Sequence, residues 1–88
     1  MKDIFLNNLP SIDLHGYDRE TARVAINDFI KDNIHMKKPK ILIIHGKGTG
    51  ILRQATKDAL SKNKYVKTFQ TSYFNEGCTI VELKIWQK

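Results

Sequence analysis

Residues 41–44, Ile-Leu-Ile-Ile, form an unbroken apolar run with glycines at 46, 48 and 50 directly behind it. A strand with no polar residue in its two-residue alternation is suited to burial on both faces, the situation of a strand inside a parallel sheet. Joining two parallel strands takes a crossover, and the preceding chain supplies one. From Ser11 to His15, Ile12 and Leu14 alternate with Asp13 and His15, a short strand with two polar side chains on one face. Asp18 suits a helix N-cap, Glu20 suits the positive end of the helix dipole, and Ala22, Ala25, Ile26, Phe29 and Asn33 recur at helical spacing. A first helix is therefore expected over 19–33, closed by His-Met-Lys-Lys-Pro at 35–39, with Pro39 favouring an extended start to the next strand.

Beyond the glycines, Leu52, Ala55, Ala59 and Leu60 mark a second amphipathic helix ending near Lys62 to Lys64. Two more strands follow, YVKTFQTS at 65–72 and CTIVELKIW at 78–86, joined by YFNEG, whose Asn and Gly suit a tight connection. The expected order is β-α-β-α-β-β, an α/β fold with the first two strands parallel. With 88 residues and no linker or repeat, the chain has room for one domain. Residues 1–10 are expected to form an N-terminal extension and 11–88 the domain. No apolar run approaches the roughly 20 residues of a membrane span. The opening residues lack a signal peptide's apolar region and cleavage site, and the single cysteine, Cys78, cannot close an internal disulfide; the expected location is cytoplasmic, with no membrane partner.

Fifteen Lys and Arg against nine Asp and Glu give a formal charge of +6, which favours phosphate-bearing partners. The basic residues concentrate at Lys37, Lys38, Lys40, Lys47, Arg53, Lys57, Lys62, Lys64 and Lys67, all after residue 36. In parallel strands joined by helices the carboxyl ends share one edge, where α/β proteins bind ligands. His15-Gly16 and His45-Gly46 both belong to that edge, and a third strand in the same direction brings the YFNEG loop and Thr79 there as well.

The glycine spacing excludes two nucleotide sites. A P-loop needs four residues between its first glycine and a Gly-Lys-Ser/Thr, and the dinucleotide fingerprint needs a small residue where Ile51 stands. What remains is a glycine loop opening a helix, whose amides and dipole hold an anion, with Lys47 and Arg53 adding charge. A turn that uses its glycines only for their backbone angles is the plainer alternative. Asp13, His15, His45 and Cys78 lack the close ligand pairs of a zinc site. A transient Mg²⁺ or Mn²⁺ held partly by Asp13 and partly by substrate phosphate fits better than a tight structural metal. Two histidines flanking a phosphate suit metal-independent phosphodiester cleavage, one as base and one as acid, with Asp13 orienting His15. Alternatively, Asp13 and His15 only tie the loops of this edge together.

The stretches IDLHG at 12–16, HGKGTGILR at 45–53 and NEGCTIVELK at 75–84 resemble the small MutS-related, or Smr, domain over about Ile12 to Lys84. The resemblance implies a two-layer sandwich like the C-terminal domain of the third bacterial translation initiation factor, a four-stranded mixed sheet with both helices on one face. It implies an endonuclease of RNA or branched DNA, with the ribosome as a further candidate partner and no use of ATP. The family's Asp-Leu-His and His-Gly-x-Gly motifs fall on Asp13, Leu14, His15, His45, Gly46, Lys47 and Gly48. Asp13, His15 and His45 are read as catalytic, and Leu14, Gly46, Lys47, Gly48, Thr49, Gly50, Arg53, Gly77 and Thr79 as the phosphate and nucleic-acid contacts. Tyr17, Tyr73 and Phe74 near the same edge are expected either to stack on unpaired bases or to serve only in packing. One departure is a shortened loop, FNEGCT, before the last strand. The competing expectation is a non-catalytic module that docks on nucleic acid or the ribosome.

Overall fold

Strand β2 (Lys40–Ile44) lies inside the sheet, as its apolar run requires. It pairs in parallel with β1 (Ser11–Asp13) and antiparallel with β4 (Cys78–Leu83). Strand β3 (Val66–Thr71) pairs antiparallel with β4, completing a mixed sheet of order β1-β2-β4-β3. The computed structural model describes residues 9–46, 48, 50–71 and 77–85. Because β4 runs against the other three, the carboxyl ends of β1, β2 and β3 and the start of β4 share one edge. The expected gathering of loops at that edge is therefore observed for the described residues.

Pleating divides the strands between two faces. Ile41, Ile43, Val81 and Leu83 join Leu14 and the helix residues Ala22, Ile26, Ile30, Ala59 and Leu60 in one core. The opposite pleat carries Asp13, Leu42, Ile44, Cys78 and Ile80, which the register sets beside one another. Helices α1 (Arg19–His35) and α2 (Ile51–Lys62) pack side by side on the core face, where Ala22, Ala55 and Ala59 allow close approach.

Several element ends differ from the sequence expectations, each for a local reason. β1 stops at Asp13 rather than His15 because the Asp13 carboxylate accepts the His15 backbone N–H at 2.9 Å and the chain turns, Tyr17 N–H donating to Leu14 O. α1 starts as expected, with the Asp18 side chain accepting from Thr21 N–H at 2.7 Å. It continues past Asn33 to His35 and closes through Lys37, a non-glycine residue at φ +58°. Lys37 N–H donates to Ile34 O and Lys38 N–H to Asn33 O, the paired bonds of a Schellman closure. α2 begins at Ile51 with Gly50, at φ +89°, as its N-cap, and ends at Lys62 within the expected range. β4 ends at Leu83 rather than Trp86, after which Lys84 N–H turns to Tyr65 O. Lys47, Thr49, Tyr73, Phe74 and most of the N-terminal extension lie outside the described residues.

Candidate functional site

Strand parity separates the residues that the sequence groups together. Asp13 lies opposite Ile44 in register, on the pleat facing away from the helices. Leu14 turns into the core and is fully buried, so it anchors the strand between Asp13 and His15 and has no surface to offer a ligand. His15 is exposed, and its imidazole has no hydrogen-bond partner among the described residues. The Asp13 bond to the His15 amide fixes a tight turn here, so a carboxylate and an imidazole two residues apart emerge at one edge of the sheet.

His45 has the opposite environment. It is 5% exposed, and both ring nitrogens are engaged: Nδ1 lies 3.0 Å from Gly46 O and Nε2 lies 2.8 Å from Thr79 Oγ1. A carbonyl only accepts, so Nδ1 carries the proton and, in the neutral ring, Nε2 accepts from the Thr79 hydroxyl. The main chain repeats the connection, since the amides of His45 and Gly46 both donate to Gly77 O at 2.8 Å. Gly77 and Thr79, expected as phosphate contacts, thus serve here to clamp the start of the glycine loop to the start of β4.

Within the loop the glycines are not equivalent. Gly46 and Gly50 sit at φ +80° and +89°, the left-handed region that a side chain makes costly. Gly48 is not in that region, and a Cβ built on it meets nothing within 4 Å. Among the described residues, its missing side chain leaves open space beside the loop. A cavity of about 440 Å³ opens there, lined by Tyr17, Asp18, Arg19, His45, Gly48 and Gly50 among others. Arg53, in the first turn of α2, is half-buried, and its Nε is enclosed without a hydrogen-bond partner among the described residues.

Arg19 is the cation that sequence reasoning missed. It was read only as the first residue of α1, yet it lines the same cavity as the glycine loop. The available signal was its place one turn beyond a His-Gly strand end, where a helix start faces the site. Asp18 lines the cavity too, its carboxyl held below the usual range by the Thr21 amide that it caps. On the other pleat the Cys78 thiol is pushed up by burial and then by the Asp13 carboxylate, which keeps it protonated beside that acid. Among the described residues no three His, Cys, Asp or Glu side chains gather as a metal-ligand set. Nor is any helix there long and apolar enough to cross a membrane.

Three kinds of comparison agree with this arrangement. A family model described as the Smr domain matches residues 12–84. Among curated relatives, the Clostridium novyi protein named endonuclease MutS2 is 39% identical over 77 residues, covering 84% of this chain and 10% of that protein. The endonuclease MutS2 of Geobacillus thermodenitrificans is 42% identical over 76 residues, with 83% and 10% covered. The chain thus spans about a tenth of the length of these relatives. Among solved structures, the Smr domain of Thermus thermophilus MutS2 superposes with a TM-score of 0.82 at 29% identity, covering 85% of this chain and 98% of that one. YdaL, a stand-alone small MutS-related protein from Escherichia coli, gives 0.79 at 25% identity, with 84% and 63% covered.

Proposed function

Since this chain belongs to the Smr domain family, we propose that it is an endonuclease that cleaves phosphodiester bonds in RNA or in branched, structured DNA at the carboxyl edge of its sheet. The observation that carries this reading is the pair at the end of β1: an exposed His15 imidazole with no competing partner, set by its own backbone bond beside Asp13. The relatives named endonucleases support the reaction class. The net charge of +6 and the open glycine loop support a phosphate substrate.

On RNA the chemistry needs few groups. The glycine loop amides, with Arg19 and Arg53 nearby, hold the phosphate, and His15 takes the proton of the adjacent 2′-hydroxyl. That oxygen bonds to phosphorus as the bond to the 5′-oxygen breaks, leaving a 2′,3′-cyclic phosphate, and the departing oxygen takes a proton from solvent. Asp13 orients His15 and offsets the charge that it gains. His45, with both nitrogens engaged, holds the loop rather than moving protons. DNA has no 2′-hydroxyl, so water must attack instead; Asp13 is the carboxylate that would hold a Mg²⁺ or Mn²⁺ shared with the phosphate, which would supply Lewis-acid stabilisation.

The test is cleavage of end-labelled single-stranded RNA, duplex RNA and a four-way DNA junction, without ATP and with Mg²⁺, Mn²⁺ or EDTA, by the native chain and by Asp13→Ala/His15→Ala. Cleavage by the native chain that the double variant loses is the expected result. Binding without cleavage under every condition would instead make the domain a docking module.

A further inference from the structure

We infer that the furrow between α1 and α2 carries a second backbone-binding patch at its far end, which takes a single-stranded stretch of the nucleic acid held at the glycine loop. This rests on the nucleic-acid reading above. Four cavities follow one another down the seam: the loop cavity shares Arg19 and Gly50 with the next, which shares Ala55 and Asp58 with a third, which shares Arg23 and Lys62 with the last. The far cavity, of about 320 Å³, brings Arg23, Lys62 and Lys64 together with Tyr65.

Charge is distributed unevenly along this path. Its middle carries two acids, Glu20, paired with Arg23, and Asp58, which accepts from Gln54. Phosphates therefore find cations at the two ends, Arg19 beside the loop and Lys62 and Lys64 beyond the acids. Tyr65 is 40% exposed, and the Lys64 ammonium lies 5.4 Å from its ring centroid, so an aromatic surface sits among the cations as in single-strand sites. Helices in contact through alanines lie about 8–10 Å apart, which leaves a seam for one strand and not for a duplex. The 12 residues of α2 separate the two ends by about 18 Å. At about 3.4 Å per nucleotide of a stacked strand, that is roughly five nucleotides.

Fluorescence anisotropy with uncleavable 2′-O-methyl RNA strands of 4 and 12 nucleotides separates the possibilities. The native chain is compared with Lys62→Ala/Lys64→Ala and with a charge-matched control, Lys31→Ala/Lys84→Ala, each shown to be folded by its melting curve. For the 12-mer, the first variant is expected to bind about tenfold more weakly, with the slope of log affinity against log salt reduced by about 1.4. The 4-mer, too short to span both ends, is expected to change less than twofold. Unchanged 12-mer binding, or an equal loss in the control, overturns the second patch while leaving the site at the sheet edge standing. Failure of the native chain to bind either strand overturns the second patch together with the RNA form of the reading at the sheet edge, which the DNA-junction assay then tests separately.

Discussion

Thr79 Oγ1 and His45 Nε2, 2.8 Å apart and both nearly out of solvent, form the one side-chain bond that joins β4 to the loop after β2 among the described residues. Replacing Thr79 by Val keeps the shape and leaves a buried ring nitrogen unpaired. The expected cost is about 1–3 kcal/mol in urea denaturation, largely restored by Thr79→Ser. The different roles of the two histidines were not legible in the sequence, because His15 and His45 each end an apolar run before a glycine. The parity of the strand and the contacts across it distinguish them: one imidazole reaches solvent beside Asp13, the other is sealed against Thr79. Asp18, by contrast, was legible as a cap from its position alone. Its carboxyl pKa is lowered in the fold, so its contribution is present above the ordinary carboxylate value of about 3.9 and lost as pH falls through the lower folded value. Asp18→Asn caps without titrating. Melting temperatures of the two proteins should converge or cross only below about pH 4, and a difference that stays constant from neutral pH to below pH 4 would contradict this assignment.

At the scale of elements, the glycine loop and the helix end make opposite predictions about side chains. Gly50→Ala places a Cβ at φ +89° and should cost about 1–2 kcal/mol, whereas Lys37→Gly, at φ +58°, should relieve about 1 kcal/mol. Gly48→Ala should leave the melting curve unchanged, since no described residue lies within 4 Å of the added carbon, yet weaken binding of an RNA strand that uses that space. An equal loss of stability in Gly48→Ala would show that the glycine serves the fold. Helix existence was readable from apolar spacing and caps, and the start of α1 was read correctly. Its end was not, because a lysine rather than a glycine takes the left-handed closing position and no residue type announces that. β1 was read two residues long because the alternation of Asp13 and His15 continues the strand pattern, while the Asp13 side chain ends the strand by taking the His15 amide.

At the scale of the whole molecule, the direction of every strand followed from the connections, two helical crossovers and one short link between β3 and β4. The insertion of β4 between β2 and β3 is settled by burial: Cys78, Thr79, Val81 and Leu83 are all covered, as a strand flanked on both sides requires, whereas β3 exposes Lys67, Thr68, Gln70 and Thr71. The same topology gathers the site, because three carboxyl ends and the start of β4 meet where two helices begin. It also makes the furrow between those helices lead away from the site, a relation with no counterpart in the linear spacing of Arg19, Arg23, Lys62 and Lys64. The most direct measurement is the single-turnover cleavage rate of a labelled RNA by the native chain and by His15→Ala, with the dissociation constant of each for the same strand. A rate lower by about 10² to 10⁴ with binding changed less than about twofold is the result expected of a proton-transferring imidazole. Cleavage by His15→Ala at the native rate would contradict the placement of the reaction at this edge.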